Sequence, residues 1–375
     1  MISRIELLKK IDGLLGRLAA SSLPASRKTA TVAEPHRILV IRPGGIGDAV
    51  LLVPALVSLR VRYHGAHLTV LAERRNAAVF ELTSAVDRTL CYDKPGELLI
   101  ALCGRYDVVI DTEQWHRLSA VVARLTRSSL RIGFGTNERA RLFTVPLPYS
   151  HDDYEALSFY KLLGPLGFVP PATIPPRFLF LPQVARQQGE ELLAPLAGRE
   201  YLVLFPGATV PERRWGVERF ETLARRLEGE GWLVVVVGGK QDAAAGALIA
   251  GTAGLNLAGR TSLAVTAAVI GGARLLVSGD SGLLHLAVGL GTDTVSLFGP
   301  GRQRKWGVES AGNLIVNHHL PCSPCTTFGT TPKCPHQVRC MGEITVAELF
   351  RAAMGLLTKK NRNSLNKNLD INGGS

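Results

Sequence analysis

Short apolar runs alternate with helical patterns along most of the chain, and this alternation predicts the fold. RILVI at 37–41 is followed by DAVLLVPALVSLRVRY, whose apolar residues recur at helical spacing. Then come HLTVLAE, a helix near Asn76, TLCYD, a helix near Glu97, and DVVIDTE. Strands that alternate with helices imply a parallel sheet covered by helices on both faces. Proline pairs at Pro170-Pro171 and Pro175-Pro176 mark a linker, after which the pattern restarts with YLVLFPGA, a helix after Trp215 and WLVVVVGG. A helix near Ala243, LNLAG, a helix near Ala264, LLVSGD, a helix after Ser281 and TVSLFGP complete it. Two successive doubly wound α/β domains, 36–175 and 176–345, are the economical reading. A cysteine-rich loop closes the second, followed by a helix over 346–358 and a disordered polar tail at 359–375.

The first 35 residues stand apart. Ile5, Leu8, Ile11, Leu15 and Leu18 fall on one helical face, with Arg4, Lys9, Lys10 and Arg17 on others. Such a helix either lies in a membrane interface or packs on the body or a partner. Residues 19–35 read as a linker.

Composition narrows the function classes. At 375 residues the chain can bury two cores, and 46% hydrophobic with 20% charged residues excludes wholesale disorder. A net charge of +12 suits anionic partners such as nucleotide-sugars or an anionic membrane face. No basic–aromatic recognition pattern points to nucleic acid. No apolar run approaches the ~18 residues of a membrane span, and Arg4, Glu6, Lys9 and Lys10 interrupt any signal-peptide core. A cytoplasmic protein with reduced thiols is expected.

The candidate chemistry sits where strands break into glycines and reopen as helices. In RPGGIGD, Gly44, Gly45 and Gly47 permit a tight turn and close ligand approach. The spacing is not G-x-G-x-x-G, so a dinucleotide dehydrogenase is not indicated. Asp48 follows at the mouth of the turn, either as a simple helix N-cap or as a charged acceptor of protons held at a helix N-terminus. In SGDSGLLH, Asp280 or Ser281 caps the helix, Gly282 lets backbone approach, and His285 follows one turn on, as a structural histidine or beside a bound diphosphate. In LFPGATVPERRWG, Arg213 and Arg214 lie just beyond a strand end, the usual ligand edge of an open α/β sheet, with forks suited to phosphate. Gly239 in VVVVGGKQD offers a further glycine turn for a base or ribose. Cys322-x2-Cys325-x8-Cys334-x5-Cys340 suits either a structural zinc or free thiols.

Together RILVIRPGGIGDAVLLVPAL, YDVVIDTEQ, RIGF, the stretch after His151, LFPGA…RRW, VVVVGG, VSGDSGLLHLAVGLGT, LFGP and the cysteine loop resemble glycosyltransferase family nine, the ADP-heptose:lipopolysaccharide heptosyltransferases. The likeness spans roughly 37–345. It implies a GT-B fold, two Rossmann-like domains with parallel sheets facing a central cleft. It also implies inverting transfer from ADP-heptose to a lipopolysaccharide core acceptor without a metal or other cofactor. By position, Asp48 would be the general base. Arg213, where the family usually has a lysine, and Asp280, Ser281, Gly282 and His285 would bind the donor. Asp111 and Gln114 match strand-end positions near the acceptor, and Arg131 would suit an acidic inner-core sugar. Transfer from another nucleotide-sugar, a nucleotide-sugar epimerase, and a non-catalytic nucleotide-binding protein are the alternatives.

Overall fold

The computed structural model describes residues 11–26 and 32–358. The chain divides into two compact units, Met1–Phe180 and Leu181–Ser375. Ile5 and Leu8 of the expected N-terminal face, and the tail from 359, lie outside the described residues.

The first unit is built on a six-stranded sheet in the order β3-β2-β1-β4-β5-β6. Its strands are β1 (Arg37–Ile41), β2 (His67–Ala72), β3 (Arg88–Cys91), β4 (Arg105–Asp111), β5 (Arg127–Phe134) and β6 (Val145–Leu147). Every pairing is parallel. Four of the five residues of β1 are buried, as a strand covered on both faces requires. The second unit repeats the plan in the order β12-β11-β10-β7-β8-β9. It uses β7 (Tyr201–Phe205), β8 (Leu233–Val236), β9 (Leu255–Asn256), β10 (Leu275–Gly279), β11 (Asp293–Leu297) and β12 (Asn313–Val316), again all parallel. The helix at 346–358 sends Leu349, Ala353, Leu356 and Leu357 into this unit's core. In both sheets the strand order reverses at one point, between β1 and β4 and between β7 and β10. There the loops leave in opposite directions and open the crevice that ligands use in this architecture.

Three strands escaped the sequence reading: β5, which lies inside its sheet, and the edge strands β6 and β12. β6 has three residues and contains Pro146, and β12 has four. An edge strand needs no continuous apolar run and tolerates proline.

The N-terminal extension docks on the first unit by an unexpected side. The residues buried in it are Asp12, Gly16 and Ala20. The carboxylate of Asp12 accepts the backbone N–H groups of Arg117 and Leu118 at 2.8 Å each. It thereby caps helix Arg117–Leu125, whose own N-cap residue, His116, makes no side-chain cap. Burial would raise the Asp12 carboxyl, but His116 and those two N–H groups hold it below its ordinary value. Leu14, Leu15 and Leu18 remain 66%, 54% and 58% exposed. Leu14, Leu15 and Leu18 therefore do not pack on the body of the first unit. Among the described residues no helix is long and apolar enough to cross a membrane.

Candidate functional site

In the first unit the site grows from the reversal point between β1 and β4. Helix Ile46–Arg62 begins directly after the glycine turn, with Gly45 as its N-cap. Asp48 is therefore the third helical residue and not the cap, which removes the simplest structural explanation for it. Gly44 takes φ +103°, a conformation that favours glycine. Its N–H donates to Glu73 at 3.3 Å, and Asn76 donates to its carbonyl at 3.2 Å. The Asp48 side chain is 24% exposed and stands 3.9 Å from the guanidinium of Arg42. Arg42 in turn stands 3.6 Å from Glu113, in the loop that leaves β4. Burial would raise the Glu113 carboxyl, yet His116, Arg42 and Arg139 together hold it below its ordinary value.

Gln114 follows and donates to the buried carboxylate of Glu155, which also accepts from the Tyr149 hydroxyl at 3.1 Å. Burial drives the Tyr149 hydroxyl far above its ordinary value, with the Glu155 and Asp48 charges adding. Gln114, Glu155 and Tyr149 thus form one polar cluster, and the Asp48 charge is close enough to act on it. Tyr149 and His151 meet edge to face at 5.3 Å.

Two acceptor candidates have other tasks in this unit. Asp111 is wholly buried, paired with Arg139 and accepting from Ser119 at 2.9 Å. Arg131 donates to the carbonyl of Ser128 and reaches Ser26 of the N-terminal extension at 3.4 Å. Arg139 and Ser26 lie far off in sequence, 28 residues from Asp111 and 105 from Arg131. The structure therefore gives Asp111 and Arg131 supporting contacts.

In the second unit the matching reversal point lies between β7 and β10. Ser281 is the N-cap of helix Gly282–Leu290, its hydroxyl accepting from Leu284 N at 3.3 Å. Asp280 is left to another partner. It is 5% exposed and pairs with Arg213 at 2.9 Å. Arg213 also lies over the ring of Trp306 at 5.8 Å. Its buried Nε has no hydrogen-bond partner among the described residues. Arg214 instead folds back onto the carbonyl of Ala208, with both bonds at 3.1 Å. Gly239 donates to Asp242 at 2.9 Å, and His285 is buried at 2% exposure.

The sequence reading missed Arg42, Glu113, Tyr149 and Glu155 in the first unit, and Asp242, Gly301, Lys305 and Trp306 in the second. Arg42 and Glu113 stand inside quoted motifs but drew no notice beside the glycines and Asp48. Gly301 has a legible reason afterwards, since a Cβ there would lie 2.1 Å from the Asp280 carboxylate.

Cys322, Cys325, Cys334 and Cys340 line one cavity of about 160 Å3 with Glu212 and His336. The sulfur of Cys334 accepts the N–H groups of His336 and Val338 at 3.4 Å each. Burial pushes the Cys325 and Cys340 thiols up, and neighbouring sulfurs add to it. Among the described residues no group of three or more His, Cys, Asp or Glu side chains stands in position to hold a metal. All six cysteines of the chain are free thiols.

Two doubly wound parallel sheets, each with a polar site at its reversal point, define a GT-B glycosyltransferase fold. The model of glycosyltransferase family 9 (heptosyltransferase) matches residues 97–335, and the chain belongs to that family. It is 33% identical over 182 residues to lipopolysaccharide heptosyltransferase 1 of Pseudomonas aeruginosa, a match covering 45% of this chain and 51% of that protein. The chain thus spans about half the length of that relative. It is 28% identical to lipopolysaccharide heptosyltransferase 2 of Salmonella typhimurium, covering 70% of this chain and 83% of that one. The fold superposes on E. coli ADP-heptose lps heptosyltransferase II with a TM-score of 0.72 at 22% identity, over 87% of this chain and 99% of that one.

Proposed function

We propose that this protein transfers heptose from ADP-heptose to a lipopolysaccharide core acceptor, with inversion at the anomeric carbon and without a metal. The supporting observation is the buried, unpartnered Nε of Arg213 beside the N-terminus of helix Gly282–Leu290. A buried donor without an acceptor costs about 1–3 kcal/mol, and a diphosphate oxygen at a helix N-terminus would satisfy it. The donor named for the E. coli relative carries that group.

The chemistry follows from charge. As the sugar–phosphate bond breaks, negative charge grows on the diphosphate and positive character on the sugar. Arg213 and the dipole of helix Gly282–Leu290 stabilise the leaving group. Ser281 and Gly282 offer their backbone to it, Asp280 holds the guanidinium in place, and Gly239 and His285 border the donor loops. Asp48 takes the proton from the attacking acceptor hydroxyl. Gly44, Gly45, Gly47 and Gln114 shape the acceptor side.

Thermal shift against ADP, GDP, UDP and ADP-heptose, each with EDTA, tests the donor. A ligand present at 100 times its Kd stabilises by about 2.7 kcal/mol, so ADP-heptose is expected to give the largest shift. Arg213→Met should weaken that binding about 10–100-fold, the worth of one charge-assisted bond. A larger shift with another base, or transfer that stops under EDTA and returns with magnesium, overturns the reading.

The same function places the protein against the membrane that carries the acceptor. The outward face of Leu14, Leu15 and Leu18 is flanked by Arg17, itself 68% exposed. Apolar side chains beside basic ones suit an anionic lipid surface. Replacing the three leucines by serine should lower cosedimentation with phosphatidylglycerol vesicles and leave transfer to a deacylated acceptor intact. Undiminished vesicle binding rejects this contact.

A further inference from the structure

We infer that Arg42 is the positioning residue of the acceptor side, a guanidinium fixed in advance that aims the Asp48 carboxylate. The inference rests on the reading of Asp48 as the proton acceptor.

Arg42 is 1% exposed, the last residue of the buried run that ends β1. Two of its five N–H groups are spent on the backbone around it. Nε donates to the carbonyl of Pro43 at 2.6 Å, and Nη1 to that of Thr112 at 3.1 Å. The ring of Phe159 lies 5.6 Å from the guanidinium carbon, within cation–π range. Two backbone carbonyls from the loops that leave the two central strands and one aromatic face therefore set the plane of the fork. Nη2 makes neither of these bonds, and it is the atom that stands 3.6 Å from Glu113 and 3.9 Å from Asp48. A Cβ on Gly44 would press within 3.2 Å of the same Nη2, so the glycine turn leaves this atom its room.

The two carboxylates are not equivalent. Glu113 is 6% exposed and holds the cation from the protein side. Asp48, at 24% side-chain exposure, is the one within reach of a ligand. Arg42 links them, so the Asp48 carboxylate faces a fixed partner before any acceptor arrives. Such preorganisation matters because a misplacement of about 1 Å at a reacting group costs about 10²-fold. Lysine would keep the charge but could not hold both carbonyls and both carboxylates, since it has a point charge in place of a planar fork.

The test is a cycle of full-length variants assayed as ADP release from ADP-heptose with a deacylated inner-core acceptor. Arg42→Met should lower kcat about 10²-fold with little change in the KM for donor, and Arg42→Lys should recover part of the loss. In an Asp48→Asn background the same Arg42→Met change should cost nothing further, because a residue acting through Asp48 has nothing left to aim. Arg42→Met leaves the buried Glu113 without one of the cations that hold it. The double variant Arg42→Met, Glu113→Gln therefore restores folding, read by thermal melting, and should keep the loss in kcat. If Asp48→Asn is inactive while folded Arg42→Met turns over normally, or loses as much in both backgrounds, the inference falls alone. If Asp48→Asn turns over at the wild-type rate, the reading of Asp48 fails and takes the inference with it.

Discussion

Asp48→Ala is expected to lower transfer by 10²–10⁴-fold, the usual worth of a positioned general base, while donor binding stays within a few-fold of wild type. The separation follows from where the groups lie in sequence and fold. Asp48 belongs to the first unit, in the opening turn of helix Ile46–Arg62. The donor candidates Arg213 and Asp280 pair with each other inside the second. A side chain that is not the N-cap and is partly exposed can be removed without emptying a core. The loss should therefore show in kcat and not in thermal stability. Steady-state ADP release and a thermal shift with ADP-heptose measure the two quantities on one sample. Near wild-type turnover would take Asp48 out of its assigned role, whatever the donor site does.

The fold was legible because buried parallel strands write themselves as apolar runs. RILVI, YLVLF and LLVSG needed no context beyond their own residues to be read as strands. The glycine turns were legible for the same local reason, since each follows a strand directly. What escaped depended on partners distant in sequence. Asp111 reads as a strand-end carboxylate near the acceptor until Arg139, 28 residues on, is found against it. Arg131 reads as a ligand for an acidic sugar until Ser26, 105 residues back, occupies it. Leu15 and Leu18 read as a packing or membrane face, and only the burial of Asp12 and Ala20 on the opposite side shows that these two leucines do not pack on the first unit. Arg42 was overlooked because a buried arginine looks like a surface one in sequence. The choice between Asp280 and Ser281 as helix cap was likewise settled by a partner, Arg213, that lies in another loop.

The second large effect is on stability and concerns the support beneath the acceptor side. Arg139→Met should destabilise the first unit by about 3–5 kcal/mol, the cost of leaving a buried charge without its partner. Arg139 and Asp111 are both fully buried. Arg139 also donates to the carbonyl of Glu113, and the Asp111 carboxylate accepts from Glu113 N at 3.0 Å. The pair thus fixes the loop that carries Glu113 and Gln114 off the end of β4. Against an ordinary total of about 5–15 kcal/mol, the melting transition should fall by about 6–20 °C.

The pH dependence gives the mechanism a second reading. Burial already pushes the Asp111 carboxyl above its ordinary value, against the pull of Arg139. Without the guanidinium that upward push is opposed only by the Glu113 N–H and the Ser119 hydroxyl, so the folded state of the variant binds a proton that the unfolded chain has released. Its stability therefore falls as pH rises above about 4, and the deficit should be smallest in mild acid. Arg139→Met with Asp111→Asn removes both charges and should recover most of the loss, because replacing a buried ion pair with neutral groups is often nearly neutral. Melting curves of the two variants between about pH 4.5 and 7.5 decide it. A single variant that melts within a degree of wild type at neutral pH would show that the β4 loop is held by its backbone alone.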